Sequence, residues 1–279
     1  MDEKRVGVIG WPVTHSLSPA MHNAAFAALG LAGWRYDLLP IPPDILGPGL
    51  RTLRDEGGYL GVNVTVPLKE AVLAHIRPDA LARALGAANT IDFRSDTATN
   101  TDVGGLIEDL RANDIALDGA RALVIGAGGA ARAAVYGLAQ AGAEVLVANR
   151  TPERAQAMLA ALALNAGLRG AAAVTFEQAA AAAPALLVNC TPAGMWPRVD
   201  GCPWPDGAPF PAGAAVYDMV YRPARTRLMA LAEAAGGRAV GGLGMLARQG
   251  AAAFTLWTGQ AAPVEVMLAA AQAALAEAG

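Results

Sequence analysis

Cysteine is nearly missing from this chain: two among 279 residues, Cys190 and Cys202. Two thiols cannot build a disulfide framework, and neither has the companions that a zinc site requires. A reducing, cytoplasmic setting is therefore expected, and a metal centre is not. Charge is sparse too, at 16% of residues with a net charge of -3. Such a balance lacks the basic stripe of a nucleic-acid binder. Long apolar runs are absent as well. Ala-rich stretches such as AAAAAPALLVN (179–189) are broken well short of a membrane-spanning length. The opening residues, MDEKRVGVIGW, pass from charge directly into a strand pattern with no signal-peptide core. A soluble protein with neither membrane nor nucleic-acid partners is expected, as a monomer or a homodimer.

What the chain does contain is apolar residue, 54% of the total, enough to bury a sizeable core. Short β-branched runs alternate with Ala- and Leu-rich helical segments, which predicts an α/β fold with mainly parallel sheets. Strands are expected at 5–10, 35–41, 61–66, 88–93, 120–126, 143–149, 172–176, 185–189, 214–219 and 238–242. Ser18 is expected to cap the first helix, with Pro19 at its first position and Gly30 at its end. The Pro- and Gly-rich stretch 192–213 reads as a long functional loop. The pattern breaks near NTDVGG (100–105), so residues 1–102 are expected to form one domain and 103–243 another. The closing segment, 244–279, holds two helices and no strand and is expected to pack back on the first domain.

ALVIGAGGAARAAV reads as strand, turn and helix, and Gly126, Gly128 and Ala131 within it match G-x-G-x-x-A. The first glycine permits a tight turn and the second a close approach of backbone to pyrophosphate. Gly129 and Ala130 open a helix whose free N–H groups and dipole favour an anion. The end of the following strand identifies the dinucleotide. A cofactor without the 2′-phosphate calls for Asp or Glu there, about 20 residues on. This chain has Asn149, Arg150 and Thr151, with Arg154 one turn further. Guanidiniums grip a phosphate bidentately where a carboxylate would repel it, so NADP is expected in preference to NAD.

Before residue 102, small polar residues gather at strand ends: Ser16 and Ser18, Asn63 and Thr65, Asn89 and Thr90, Asn100 to Asp102. Singly, each suits a cap or a turn. Four such clusters, where open α/β sheets bind ligands, describe a polar cup for a small, many-hydroxyl molecule. Lys69, just past a strand end and Pro67 in NVTVPLKE, reads alone as either a solvated cation or a proton donor.

HSLSP, NVTVPLKE, NTD, GAGGAAR, NRTPER, NCTPAGM, YDMVYRP and GLGMLARQGAAAF occur here in one order over essentially the whole chain. In that order they resemble the shikimate dehydrogenases, which reduce 3-dehydroshikimate to shikimate with NADPH. The resemblance implies that Ser16 and Ser18, with Tyr221, bind the substrate carboxylate. It implies that Thr65, Asn89 and Gln249 bind ring hydroxyls, and that Asn63 supports the pocket near the carboxylate end. Lys69 and Asp102 become the catalytic pair. Met195 and Gly244 are implied near the nicotinamide, and Met219 and Gly242 complete the cofactor set. His15 and His22 lie near the substrate loop without the partners of a metal site, and Trp11 stands at the pocket rim.

Two alternatives compete. One is a quinate/shikimate dehydrogenase of broader range; relatives that accept quinate often carry Thr at the place of Ser18, and NAD users an acid at the place of Asn149. The other is a non-catalytic NADPH-binding regulatory protein, which has no use for the proton pair Lys69 and Asp102.

Overall fold

The computed structural model describes residues 3–277. The chain forms two compact units, Met1–Gly105 with Leu246–Gly279, and Leu106–Met245. The first unit contains β1 (Lys4–Gly10), α1 (Ser18–Ala28), β2 (Trp34–Pro40), α2 (Leu46–Asp55), β3 (Tyr59–Val64), β4 (Arg77–Pro78), α3 (Ala80–Leu85), β5 (Thr90–Asp92) and β6 (Thr97–Thr99). The helix α4 (Asp102–Ala112) then carries the chain across the boundary. The sheet runs β2-β1-β3-β5-β6-β4. β2, β1 and β3 are parallel, whereas β5 is antiparallel to both β3 and β6.

That reversal positions the site. Asn63 at the end of β3 pairs with Thr90 at the start of β5, and Thr90 pairs with Thr99 at the end of β6. One edge of the sheet therefore gathers the ends of β1, β3 and β6 and the start of β5. Strands β4 and β6 are absent from the sequence expectation, because two or three residues such as Thr97-Ala98-Thr99 carry no readable period. Beneath the sheet Ile9, Val62, Val64, Leu68, Val72 and Ile91 share one buried cluster with Leu46 and Leu50 of α2.

The first helix departs from expectation at its start. Leu17 occupies the cap position with no side-chain capping bond, and Ser18 is the first helical residue. The hydroxyl of Ser16 instead accepts from the Ser18 N–H at 3.3 Å. The helix ends as expected: Gly30 takes φ +66°, while Gly30 N and Leu31 N donate to Ala27 O and Phe26 O.

The second unit holds β7 (Arg121–Ile125), α5 (Gly129–Gln140), β8 (Glu144–Ala148), α6 (Pro152–Ala166), β9 (Ala171–Ala173), α7 (Phe176–Ala181), β10 (Leu186–Asn189), β11 (Ala215–Asp218), α8 (Arg227–Ala234) and β12 (Ala239–Gly241). Its sheet is wholly parallel in the order β12-β11-β10-β7-β8-β9. Numbered within the unit this is the doubly wound dinucleotide-binding order, with its switch point between β7 and β10. The loop between β10 and β11 is long but anchored. Trp204 within it is 3% exposed and packs edge-on against Phe176 and Phe210.

The helix α9 (Leu243–Thr258) returns the chain to the first unit, and α10 (Val264–Glu277) packs on α1. Near the end of α9 the buried Trp257 donates its indole N–H to Ile91 O at 3.0 Å. Only glycine fits at position 61 opposite it, since a Cβ there would overlap both that indole and Ile91 O.

Candidate active site

At the gathered edge of the first unit, Lys69 Nζ stands 2.6 Å from Asp102 Oδ2. The two side chains are 15% and 4% exposed. Local structure fixes both partners. Leu68 N donates to Thr65 O, closing the turn that follows β3, and Lys69 O accepts from Ala88 N at 2.8 Å. Asp102 opens α4, where the helix dipole favours a carboxylate, and its N–H donates to Asn100 Oδ1 at 3.0 Å. Asn100 is in turn held by Ala87 O. Among the described residues the other two N–H groups of Lys69 have no protein acceptor.

Asn89 is the hub. Its Oδ1 accepts from Thr101 N at 2.7 Å and lies 3.1 Å from Thr90 Oγ1. Its Nδ2 has Thr101 Oγ1 and Asp102 Oδ1 at 2.9 Å and Gln249 Oε1 at 3.1 Å. An amide has two hydrogens to give, so one of these three acceptors is left with capacity. The longest contact, to Gln249 Oε1, is the natural place for an incoming hydroxyl. Gln249 is fixed from its other end, Nε2 donating to Leu246 O at 2.8 Å.

Asn63 differs. Its Nδ2 donates to Asn89 O and to Thr90 Oγ1 at 3.2 and 3.0 Å, and its Oδ1 accepts from Tyr36 OH at 2.8 Å. Both of its donors are committed within the protein, which suits a support better than a ligand contact. Thr65 lies directly beyond β3 with its methyl against Gly10, where a Cβ would clash. Ser16 Oγ donates to Ser18 Oγ at 3.1 Å, and the hydrogen of Ser18 has no protein acceptor among the described residues. Trp11, at the turn after β1, is 49% exposed.

In the second unit Gly126 takes φ +126°, a conformation glycine tolerates, and faces the methyl of Thr191 across the switch point. Gly128 caps α5 with no side-chain acceptor, leaving the N–H groups at Gly129 and Ala130 to an outside anion. Beyond β8, Asn149 Nδ2 donates to Thr151 O at 2.8 Å, and Thr151 occupies the cap position of α6 without a side-chain capping bond. Arg150 and Arg154 are exposed and make no ion pair among the described residues. The acid nearest in sequence, Glu153, sits in the first turn of α6, where the helix dipole favours it, rather than at the strand end. Uncapped amides at one helix and unpaired guanidiniums at the next fit a dinucleotide carrying a 2′-phosphate.

Sequence reasoning missed the frame that holds NCTPAGM and YDMVYRP. The buried Asp218 accepts from Asn189 Nδ2 at 2.8 Å, Val220 N at 3.0 Å and Thr226 Oγ1 at 2.6 Å. Desolvation nonetheless pushes its carboxyl pKa upward. Asn189 Oδ1 receives Thr191 N and Thr191 Oγ1, so the turns after β10 and β11 are one hydrogen-bonded piece. The guanidinium of Arg222 lies 4.7 Å over the ring of Trp196, tying the loop of Met195 to that of Tyr221. Part of Tyr221 reaches the surface, yet desolvation pushes its phenol up to about 12, so the hydroxyl remains a donor near neutrality. Gly242 and Gly244 are close-packed: a Cβ would collide with Met219 O at the first and with the Asp109 carboxylate at the second.

No helix among the described residues is long and apolar enough to cross a membrane. Among them no group of His, Cys, Asp and Glu is arranged to hold a metal ion.

Residues 8–91 match the family model described as shikimate dehydrogenase substrate binding domain. Residues 109–181 match that of shikimate / quinate 5-dehydrogenase, and 242–272 that of the shikimate 5′-dehydrogenase C-terminal domain. The chain is 46% identical over 275 residues to the shikimate dehydrogenase (NADP(+)) of Moorella thermoacetica, spanning 94% of this chain and 90% of that one. It is 42% identical over 270 residues to the enzyme of the same description from Methanocella arvoryzae, spanning 96% and 98%. The crystal structure of shikimate 5-dehydrogenase from Thermus thermophilus, in complex with NADP(H) and shikimate, is 44% identical. It covers 98% of this chain and 100% of that one at a TM-score of 0.85.

Proposed function

The chain belongs to the shikimate dehydrogenase family, and from that premise we propose how its residues divide the work. The protein is an NADP-dependent oxidoreductase that interconverts 3-dehydroshikimate and shikimate. NADPH, when bound, supplies the hydride to the carbonyl carbon. Lys69 supplies the proton to the oxygen and takes it back in the opposite direction, and Asp102 holds the ammonium in place. The observation that carries this reading is the 2.6 Å Lys69–Asp102 pair, with two ammonium hydrogens left for substrate. General acid–base help of this kind contributes about 10²–10⁴ in rate.

Around that pair Thr65, Asn89 and Gln249 take the ring hydroxyls. Ser16 and Ser18, helped by Tyr221, take the carboxylate, and Asn63 is the support behind them. Gly126, Gly128, Gly129 and Ala130 receive the pyrophosphate. Asn149, Arg150, Thr151 and Arg154 receive the adenosine 2′-phosphate, and Met195, Met219, Gly242 and Gly244 line the nicotinamide side. Residues 1–102 with 244–279 are the substrate domain and 103–243 the NADP domain. The setting is the cytoplasm, where Cys190 and Cys202 remain thiols.

Nicotinamide absorbance with shikimate and quinate, each with NADP and NAD, tests the reading. Turnover is expected with shikimate and NADP far above the other three combinations. Equal kcat/KM for quinate, or for NAD, would overturn the specificity assigned to Ser18 or to the two arginines.

A further inference from the structure

The hydrogen bonds behind the pocket form a chain with a single direction. Tyr36 OH donates to Asn63 Oδ1 at 2.8 Å, and Asn63 Nδ2 donates to Thr90 Oγ1 at 3.0 Å. Thr90 Oγ1 donates to Asn89 Oδ1 at 3.1 Å, and Asn89 Nδ2 donates to Asp102 Oδ1 at 2.9 Å. Asp102 Oδ2 then receives Lys69 Nζ. All six residues lie in the first unit. Thr90 has only one hydrogen, so it can donate to Asn89 only while Asn63 presents an N–H, not a carbonyl, toward it. Asn63 presents that face because Asn89 O accepts its other N–H and Tyr36, at the far end of its amide, offers a hydrogen to its oxygen. Were the amide of Asn63 turned over, its oxygen would meet Asn89 O and would draw the hydrogen of Thr90 away from Asn89.

Tyr36 is itself rigidly held. It is 2% exposed, and the His22 ring stacks on it at 4.2 Å with planes 11° apart. Trp257 tilts against it at 6.2 Å. Among the described residues neither ring nitrogen of His22 has a hydrogen-bond partner, and this histidine packs against the phenol without competing for its hydroxyl. Tyr36 is not among the residues assigned to substrate contact, and its hydroxyl reaches the pocket through Asn63.

We propose that Tyr36 is a positioning residue for the reaction: its hydroxyl sets the direction of the relay Asn63–Thr90–Asn89, which together with the Thr101 N–H on Asn89 Oδ1 keeps the Asn89 amide donating to Asp102 and leaves Gln249 Oε1 open at the hydroxyl-binding face. This rests on reading Lys69 and Asp102 as the proton-handling pair.

The test is the Tyr36→Phe variant, which removes one oxygen and keeps the stacked ring. Loss of one directing hydrogen bond should lower kcat/KM for shikimate about 2- to 13-fold. The KM for NADP should stay unchanged. Thr90→Val breaks the relay at its middle and should give the same signature, whereas Thr90→Ser keeps a hydroxyl and should restore activity. The Tyr36→Phe/Thr90→Val double variant should lose no more than the worse single variant, because both act through Asn89. Multiplying losses, unchanged kcat/KM in Tyr36→Phe, or equal damage to NADP binding would each overturn the proposal. Lys69→Ala in parallel separates the two layers. If it retains kcat, the catalytic reading itself fails. If it loses kcat while Tyr36→Phe does not change kcat/KM, only the relay fails.

Discussion

Replacing Lys69 by Ala separates three roles for this side chain that differ in kinetics and in stability. As a solvated cation it would be worth a few tenths of a kcal/mol, and every constant would stay near that of the parent. As a substrate anchor it would bind ground and transition states alike, so KM for shikimate would rise at constant kcat. As the proton donor it should lower kcat by about 10²–10⁴, or about 2.7–5.5 kcal/mol of barrier, with a modest change in KM. The structure adds a second consequence. Asp102 is 4% exposed, and without Lys69 it keeps the Asn89 N–H but no counter-charge. Removing one partner of a buried pair costs about 3–5 kcal/mol, an upper bound here because Lys69 retains 15% exposure. Adding Asp102→Asn removes the stranded charge. The double variant should therefore regain stability while kcat stays low, and its loss should be smaller than the product of the two single losses. Initial rates of NADPH formation at saturating NADP, with denaturant unfolding on the same samples, measure both effects. A Lys69→Ala enzyme with parental kcat at saturating shikimate would refute the assignment. So would a kcat that recovers in step with stability.

Three further outcomes are expected. Changing Arg150 and Arg154 together to Ala should erode NADP preference through KM, since each charge-assisted contact contributes about 1.5–3 kcal/mol; an unchanged NADP/NAD ratio of kcat/KM would exclude them from the 2′-phosphate. Ser16→Ala should weaken shikimate binding in calorimetry and leave NADP binding intact, and unaltered shikimate affinity would place the carboxylate elsewhere. His22, fully buried among Phe26, Tyr36, Phe254 and Trp257, has its pKa lowered by desolvation to about 3. The unfolded chain then binds the extra proton below pH 6.5, so stability should fall from there toward about 3, by at most about 1.4 kcal/mol per pH unit. His22→Phe should flatten that slope in denaturation series at pH 7, 5 and 4; a variant as acid-sensitive as the parent would show that His22 is not the group responsible.

Much of this was readable in the chain because strong local signals agreed with the fold. The strands expected from β-branched runs are all present, with ends shifted by up to about three residues. Gly126, Gly128 and the arginines after β8 declare themselves by spacing from a strand. The unreadable parts are those that depend on pairing. β4 and β6 are too short to show a period, and only the antiparallel return of β5 explains why Asn63, Asn89 and Asp102 meet. Ser18 looked like a cap because a serine beside Pro19 has that local preference, but Ser16 supplies the acceptor. Asp218 and Asn189 are far apart in sequence, so nothing local reveals that they bond to each other.

The same distinction separates a pocket from its frame. Polar residues at strand ends are equivalent in a sequence, since each is a small donor or acceptor near a turn. In the folded unit they divide by how much hydrogen-bonding capacity remains. Asn63 and Asn100 have donors turned inward onto backbone oxygens, so they hold shape. Lys69 keeps two hydrogens, Ser18 one, and the acceptor group around Asn89 exceeds by one what its amide can supply. A ligand rich in hydroxyls and bearing a carboxylate would answer each of these, accepting from Lys69 and Ser18 and donating to Gln249. Unmet capacity at separate points, held by fully committed neighbours, would make the cup selective for hydroxyl placement as well as for polarity. A substrate lacking the hydroxyl at Gln249 would leave that oxygen unpaired, at a cost of about 1–3 kcal/mol. Comparing kcat/KM for shikimate and for its analogue lacking one ring hydroxyl, in the parent and in Gln249→Ala, measures this directly. Discrimination should be strong in the parent and nearly lost in the variant, and discrimination that survives Gln249→Ala would locate the hydroxyl contact on another residue.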